Sequence, residues 1–193
     1  MICGHVFIAT SLDGFIARGD GSIDWLNAAN AAGEDHGYGE FIAGMDAILM
    51  GGETCRTVAG FEPWPFSLPV IVLSRRIDPA LLPGWMAQRV TIVRSLDAAT
   101  ALAAAKGWQQ LHVDGGQTIR AALAAGLVRS MVISRLPVLL GQGRALFGPE
   151  TADVSLRHIS THGFPSGLVQ SRYELPAQAR PECYELPAQA RPE

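Results

Sequence analysis

Short apolar runs punctuate the chain at Cys3–Ala9, Ala47–Met50, Val70–Leu73, Val90–Val93, Leu111–Val113 and Met131–Leu140. They are rich in Val, Ile and Leu and do not alternate with polar residues. That is how strands covered on both faces read, so the pattern predicts a mainly parallel sheet. Helical candidates lie between the runs: Glu34–Met45, Leu96–Lys106 with Ser95 or Asp97 as its cap, and Thr118–Ala125 ahead of Gly126. Repeated alternation of strand and helix predicts an α/β three-layer sandwich. The end of the chain breaks the pattern. Val154–Ser160 and Leu168–Tyr173 flank the turn-rich segment His162–Gly167, which predicts an antiparallel hairpin added to the sheet edge.

The chain has 193 residues, 48% of them hydrophobic, which suits one domain with a sizeable core. Residues 1–175 are expected to form that domain. The decapeptide YELPAQARPE at 173–182 recurs at 184–193, and 176–193 are expected to be a disordered tail. A net charge of −3, with no basic cluster longer than Arg75-Arg76, leaves nucleic acid and anionic membranes without a binding stripe. Cys3, Cys55 and Cys183 are odd in number and widely spaced, so neither a disulfide framework nor a metal site is expected. With no basic leader and no long apolar run, a cytoplasmic location is expected.

Four segments carry candidate chemistry. In Val113-Asp114-Gly115-Gly116-Gln117-Thr118 a strand runs through paired glycines into a helix, whose free N–H groups and dipole suit a phosphate. A tight turn without a ligand would use the same residues. Met50-Gly51-Gly52-Glu53-Thr54 repeats the arrangement, with Thr54 adding a hydroxyl. Two such turns would straddle a crevice at strand C-terminal ends. Leu73-Ser74-Arg75-Arg76 joins a hydroxyl to arginines, which suits a phosphate monoester or simply a solvated basic turn. Thr10–Ala17, leading to Asp24-Trp25, is a glycine-containing loop able to act as a lid. Neither glycine turn matches GxGxxG or GxxxxGK[ST].

SLDGFIA with a downstream DW, ILMGGET, WPF with PVIVLSR, VDGGQTI and PVLLGQGRALF follow one another in an order that resembles the dihydrofolate-reductase-like family. Stand-alone relatives of the reductase domain of the bifunctional riboflavin-biosynthesis deaminase–reductase are the nearest likeness, over Ile2 to about Leu175. The resemblance implies a homodimeric oxidoreductase with NADPH laid across the strand ends and a small-molecule substrate. It places Gly51 and Thr54 at one phosphate turn, Ser74 and Arg75 at the adenosine phosphate, and Gly115, Gly116, Gln117 and Thr118 at the pyrophosphate. Ala9 and Ile16 fall beside the nicotinamide, with Asp13 in the neighbouring loop. Asp35 lies 16 residues before Gly51, where the family sets the carboxylate that anchors a pterin ring. Asp35 and Asp13 are thus the candidate catalytic residues. Gly52 and Glu53 depart from the family's basic residues, so NADH is not excluded. The substrate is expected to be a planar C=N or C=O compound, pterin-like, with a ribosylamino-pyrimidine phosphate or a non-catalytic nucleotide-binding role as alternatives.

Overall fold

The structure, a computed structural model, is described over residues 1–27, 33–148 and 153–176. Its strands are β1 (Cys3–Thr10), β2 (Phe15–Ala17), β3 (Ala47–Gly51), β4 (Val70–Leu73), β5 (Val90–Val93), β6 (Gln110–Asp114), β7 (Val128–Arg135), β8 (Arg144–Ala145), β9 (Arg157–Gly163) and β10 (Val169–Glu174). The helices are α1 (Tyr38–Ala43), α2 (Gly52–Ala59), α3 (Gly84–Ala87), α4 (Leu96–Lys106) and α5 (Gly116–Ala124). Eight strands form one sheet in the order β5-β4-β3-β6-β1-β7-β10-β9. The pairings from β5 to β7 are parallel. Those from β7 to β10 and from β10 to β9 are antiparallel, so the expected hairpin is present at the edge.

The non-alternating runs are explained by two cores. On β3, Ala47 and Leu49 join Ile71 of β4 in one cluster, which α4 covers with Ala99 and Ala103 and α5 with Ile119, Ala122 and Leu123. Ile48 and Met50 point the other way, joining Val70 and Val72 in a cluster covered by Cys55 and Val58 of α2 and Met86 of α3. Each face of the sheet therefore has its own helical layer, and successive residues of a central strand are all buried. Three layers follow from that.

Several boundaries differ from the pattern. The strand predicted over Met131–Leu140 is β7, and it stops ahead of Pro137, which lacks the N–H a ladder requires. The helix predicted over Glu34–Met45 is only α1. Asp35 lies outside it because its Oδ1 accepts the Gly37 N–H at 2.8 Å, and Gly37 then turns at φ +78°. The third predicted helix starts two residues early, at Gly116. The hairpin's first strand runs Arg157–Gly163, further along than predicted. Ser95 is the cap of α4, accepting from the Ala98 N–H at 3.1 Å. Cys55 is free and buried. The duplicated tail beyond residue 176 lies outside the described residues. Among the described residues no helix is long and apolar enough to cross a membrane.

Candidate functional site

Parallel strands end on the same side, and a cleft of about 1160 Å³ opens where β1, β3, β4 and β6 run out. The two glycine turns and the serine–arginine turn meet in it. All ten residues expected to hold a cofactor line this cleft: Ala9, Ile16, Gly51, Thr54, Ser74, Arg75, Gly115, Gly116, Gln117 and Thr118.

The turns interlock. Gly115 stands at φ +86°, a conformation open to glycine, and a Cβ there would overlap the Thr54 hydroxyl. In return, a Cβ on Gly51 would lie 2.9 Å from Thr118 Oγ1, and one on Gly52 would lie 2.8 Å from Ser74 Oγ. Each glycine turn thus receives a hydroxyl from another turn where a side chain would otherwise sit. The amino ends of α2 and α5 face the cleft with their unpaired N–H groups, the chemistry that suits a pyrophosphate.

The arginines of the cleft have distinct tasks. Arg94 donates to the Ser74 carbonyl at 2.7 Å and the Ile77 carbonyl at 2.9 Å, holding the turn in shape. Ser74 Oγ accepts the N–H groups of Arg76 and Ile77, each at 3.2 Å. Arg75 and Arg76 are exposed at the cleft edge. Glu53, the departure noted above, is paired with Arg56 and lies 3.7 Å from Arg144. Its charge is answered locally.

One wall of the cleft is the two-stranded ribbon of β2 and β8, in which Phe15 faces Ala145 and Ala17 faces Arg144. Arg120 of α5 fastens it, donating to the carbonyls of Ala145 at 3.1 Å and Leu146 at 3.0 Å. Asp13 secures the same region without lining the cleft. Its carboxylate accepts from Ser11 Oγ at 2.6 Å, Gly141 N at 2.7 Å and Leu140 N at 3.2 Å. The Ser11 hydroxyl is the main influence holding this carboxyl below its ordinary range.

Asp35 is exposed and lines a second cavity, of about 540 Å³, beside the cleft. Phe7 borders both spaces. Neighbouring Glu34 ties this segment to the hairpin turn, accepting from Ser166 N at 2.8 Å and Ser166 Oγ at 2.6 Å. Gln170 adds a hydrogen bond to the His36 carbonyl at 3.0 Å.

The carboxylate that lines the cleft between its two glycine turns is Asp114, which the sequence reading did not single out. It closes β6 directly before the glycine pair, and that position at a strand's C-terminal end was the available signal. Asp114 Oδ1 accepts the Gly115 N–H at 2.8 Å. Tyr38 and His112 stand behind it. Burial, with the Asp114 charge as a second influence, pushes the Tyr38 phenol up to about 12. Burial also lowers His112, against the opposing pull of Asp114, so the imidazole is kept neutral. The rings of Tyr38 and Phe41 pack against His112 at 5.9 and 5.1 Å, and Tyr38 meets Phe7 edge-on at 5.4 Å. Among the described residues no group of His, Cys, Asp and Glu is placed to hold a metal ion.

Comparison with known proteins agrees with the fold. A family model described as the RibD C-terminal domain matches residues 4–170. A solved structure of a putative riboflavin biosynthesis protein from Shewanella sp. PV-4 is 36% identical, with a TM-score of 0.82, and the match covers 91% of this chain and 99% of that one. The Bacillus subtilis (strain 168) protein YwjB is 31% identical over 163 residues, 82% of this chain and 90% of YwjB. A Thermotoga maritima diaminohydroxyphosphoribosylaminopyrimidine deaminase/5-amino-6-(5-phosphoribosylamino)uracil reductase shares the fold at 13% identity, with a TM-score of 0.62. There the match covers 90% of this chain but 56% of the larger protein.

Proposed function

This chain belongs to the RibD C-terminal domain family, and we propose that it is an NADPH-dependent reductase of a small planar C=N or C=O compound. The observation that carries this reading is the convergence of three interlocked turns on one cleft at the ends of parallel strands. The fit to a dinucleotide is chemical. Glycines let backbone approach a diphosphate, and two helix amino ends face it. Hydroxyls from Thr54 and Thr118 stand alongside. Arg75 and Arg76, at the edge beside Ser74, suit the additional phosphate of NADPH, since guanidinium forks bind phosphate well.

When bound, the cofactor supplies the hydride, and the protein supplies orientation and electrostatics. Ala9, Ile16 and Ala17 present a small apolar surface at the far end of the cleft, where a nicotinamide ring would lie. In this reading Asp114 accepts a hydrogen bond from an N–H or O–H edge of the acceptor and fixes its orientation. A hydride delivered to the acceptor carbon would leave the π electrons on the heteroatom, which would take its proton from water. Asp13 acts indirectly, by fastening the 11–15 turn to residues 140–141. Asp35 faces the second cavity, so its part in this reading is to meet the portion of an acceptor that extends past Phe7.

Titration with NADPH and NADH in parallel, following nicotinamide fluorescence, tests the reading. NADPH is expected to bind at least tenfold more tightly. Absence of binding by either nucleotide would remove the reductase assignment.

A further inference from the structure

We infer that the acceptor is a planar molecule without a phosphate group, neutral or cationic, and that Glu53 enforces this choice by occupying Arg144. The inference rests on the reductase reading and narrows its substrate class.

It follows from where the positive charges are spent. Arg144, on the ribbon, lines the cleft beside its apolar end and is 3.7 Å from Glu53. Its guanidinium also sits under Gly21, where a Cβ would lie 3.2 Å from a terminal nitrogen, so backbone confines it as well. Arg120 is directed to two carbonyls of the ribbon. Arg18 pairs with Asp24 at 2.7 and 3.2 Å, and that contact holds Asp24 down to about 2. Arg75 and Arg76 follow β4, two strands from β6 and three from β1. At roughly 4.8 Å per strand that is about 10 to 14 Å from the acceptor end.

Negative charge takes the place a phosphate would need. Asp114 lines the cleft itself. An acceptor extending past Phe7 enters the second cavity, where Arg172 stands among Asp35, Glu40 and Glu174. A dianion meets Asp114 in the cleft, and in the second cavity it meets three carboxylates against the single guanidinium of Arg172. Exclusion by like charge is a route to specificity that costs a neutral acceptor nothing.

The test uses protein saturated with NADP⁺ and calorimetric titration of a 5-phosphoribosylamino-pyrimidine and its dephosphorylated ribosylamino counterpart. The dephosphorylated compound is expected to bind at least tenfold more tightly to the wild type. Glu53→Gln releases Arg144, and is expected to tighten the phosphorylated compound about tenfold while leaving its counterpart unchanged. Equal or tighter binding of the phosphorylated compound by the wild type overturns the inference, as does a Glu53→Gln protein with unchanged affinity for it. If the wild type holds neither compound, the variant decides alone: a gain for the phosphorylated compound supports the inference, and no gain overturns it. Failure of the protein to bind NADP⁺ at the outset would instead remove the reductase reading, so the two failures are distinguishable.

Discussion

The two ends of the cleft are built from different materials. The end assigned to the cofactor is made of backbone: glycine turns, helix amino ends and hydroxyls packed against missing side chains. The end assigned to the acceptor is made of side chains, with Phe7 and Asp114 in front and Tyr38 and His112 behind. Backbone geometry recognises what nucleotide cofactors share, and it survives substitution at most surrounding positions. Side chains recognise what distinguishes one acceptor from another, and each can be replaced without disturbing the sheet. A scaffold divided in this way keeps its cofactor while its substrates diverge.

The contrast breaks most sharply at Gly115. Gly115→Ala places a methyl against Thr54 at a positive φ, and the strain is worth about 1–3 kcal/mol. We expect NADPH affinity to fall at least a hundredfold by calorimetry, with a lowered melting temperature. At the other end, Asp114→Asn exchanges a charged acceptor for a neutral one. Hydrogen bonds to charged groups contribute about 1.5–3 kcal/mol, so kcat/KM for the acceptor should fall roughly 10- to 150-fold. NADPH affinity should stay within about twofold; a matching loss of cofactor binding would erase the distinction between the two ends. Arg75→Ala sharpens the cofactor end alone. It should weaken NADPH about tenfold and leave NADH unchanged, as the loss of one guanidinium–phosphate contact requires.

The smallest effect concerns pH. Burial is the main cause lowering both His5 and His112, so the unfolded chain binds protons that the folded one refuses. Stability from this source is complete above the ordinary histidine value of about 6.5 and declines as pH falls below it. The decline is at most about 1.4 kcal/mol per pH unit for each histidine. Urea unfolding between about pH 5 and pH 8 should show it, and His112→Leu should flatten the curve.

Legibility in the sequence followed the same division. Runs such as Ala47–Met50 and Val70–Leu73 displayed the buried parallel sheet directly, because every residue of a central strand faces one of two cores. The glycine turns were visible because glycine and hydroxyl residues at strand ends are local signals. The acceptor end was not visible in that way. Asp35 was read onto a helix that starts three residues later, since one side-chain hydrogen bond to Gly37 outweighs the helical pattern there. Asp114 was passed over because its significance depends on α1 packing beside β6, a contact between segments some 70 residues apart. Asp13 sits in the expected loop, but its partners at Leu140 and Gly141 could not be read from spacing.

The hydroxyl-into-glycine contacts carry a consequence for anyone who grafts or evolves this scaffold. Thr54 fits Gly115, Thr118 fits Gly51 and Ser74 fits Gly52, so three sequence-distant turns mesh like the teeth of a single gear train. A loop transplanted from a relative will seat only if its partner tooth travels with it. Natural variation at these six positions should accordingly be inherited as pairs, leaving the width of the cleft the same from one descendant to the next.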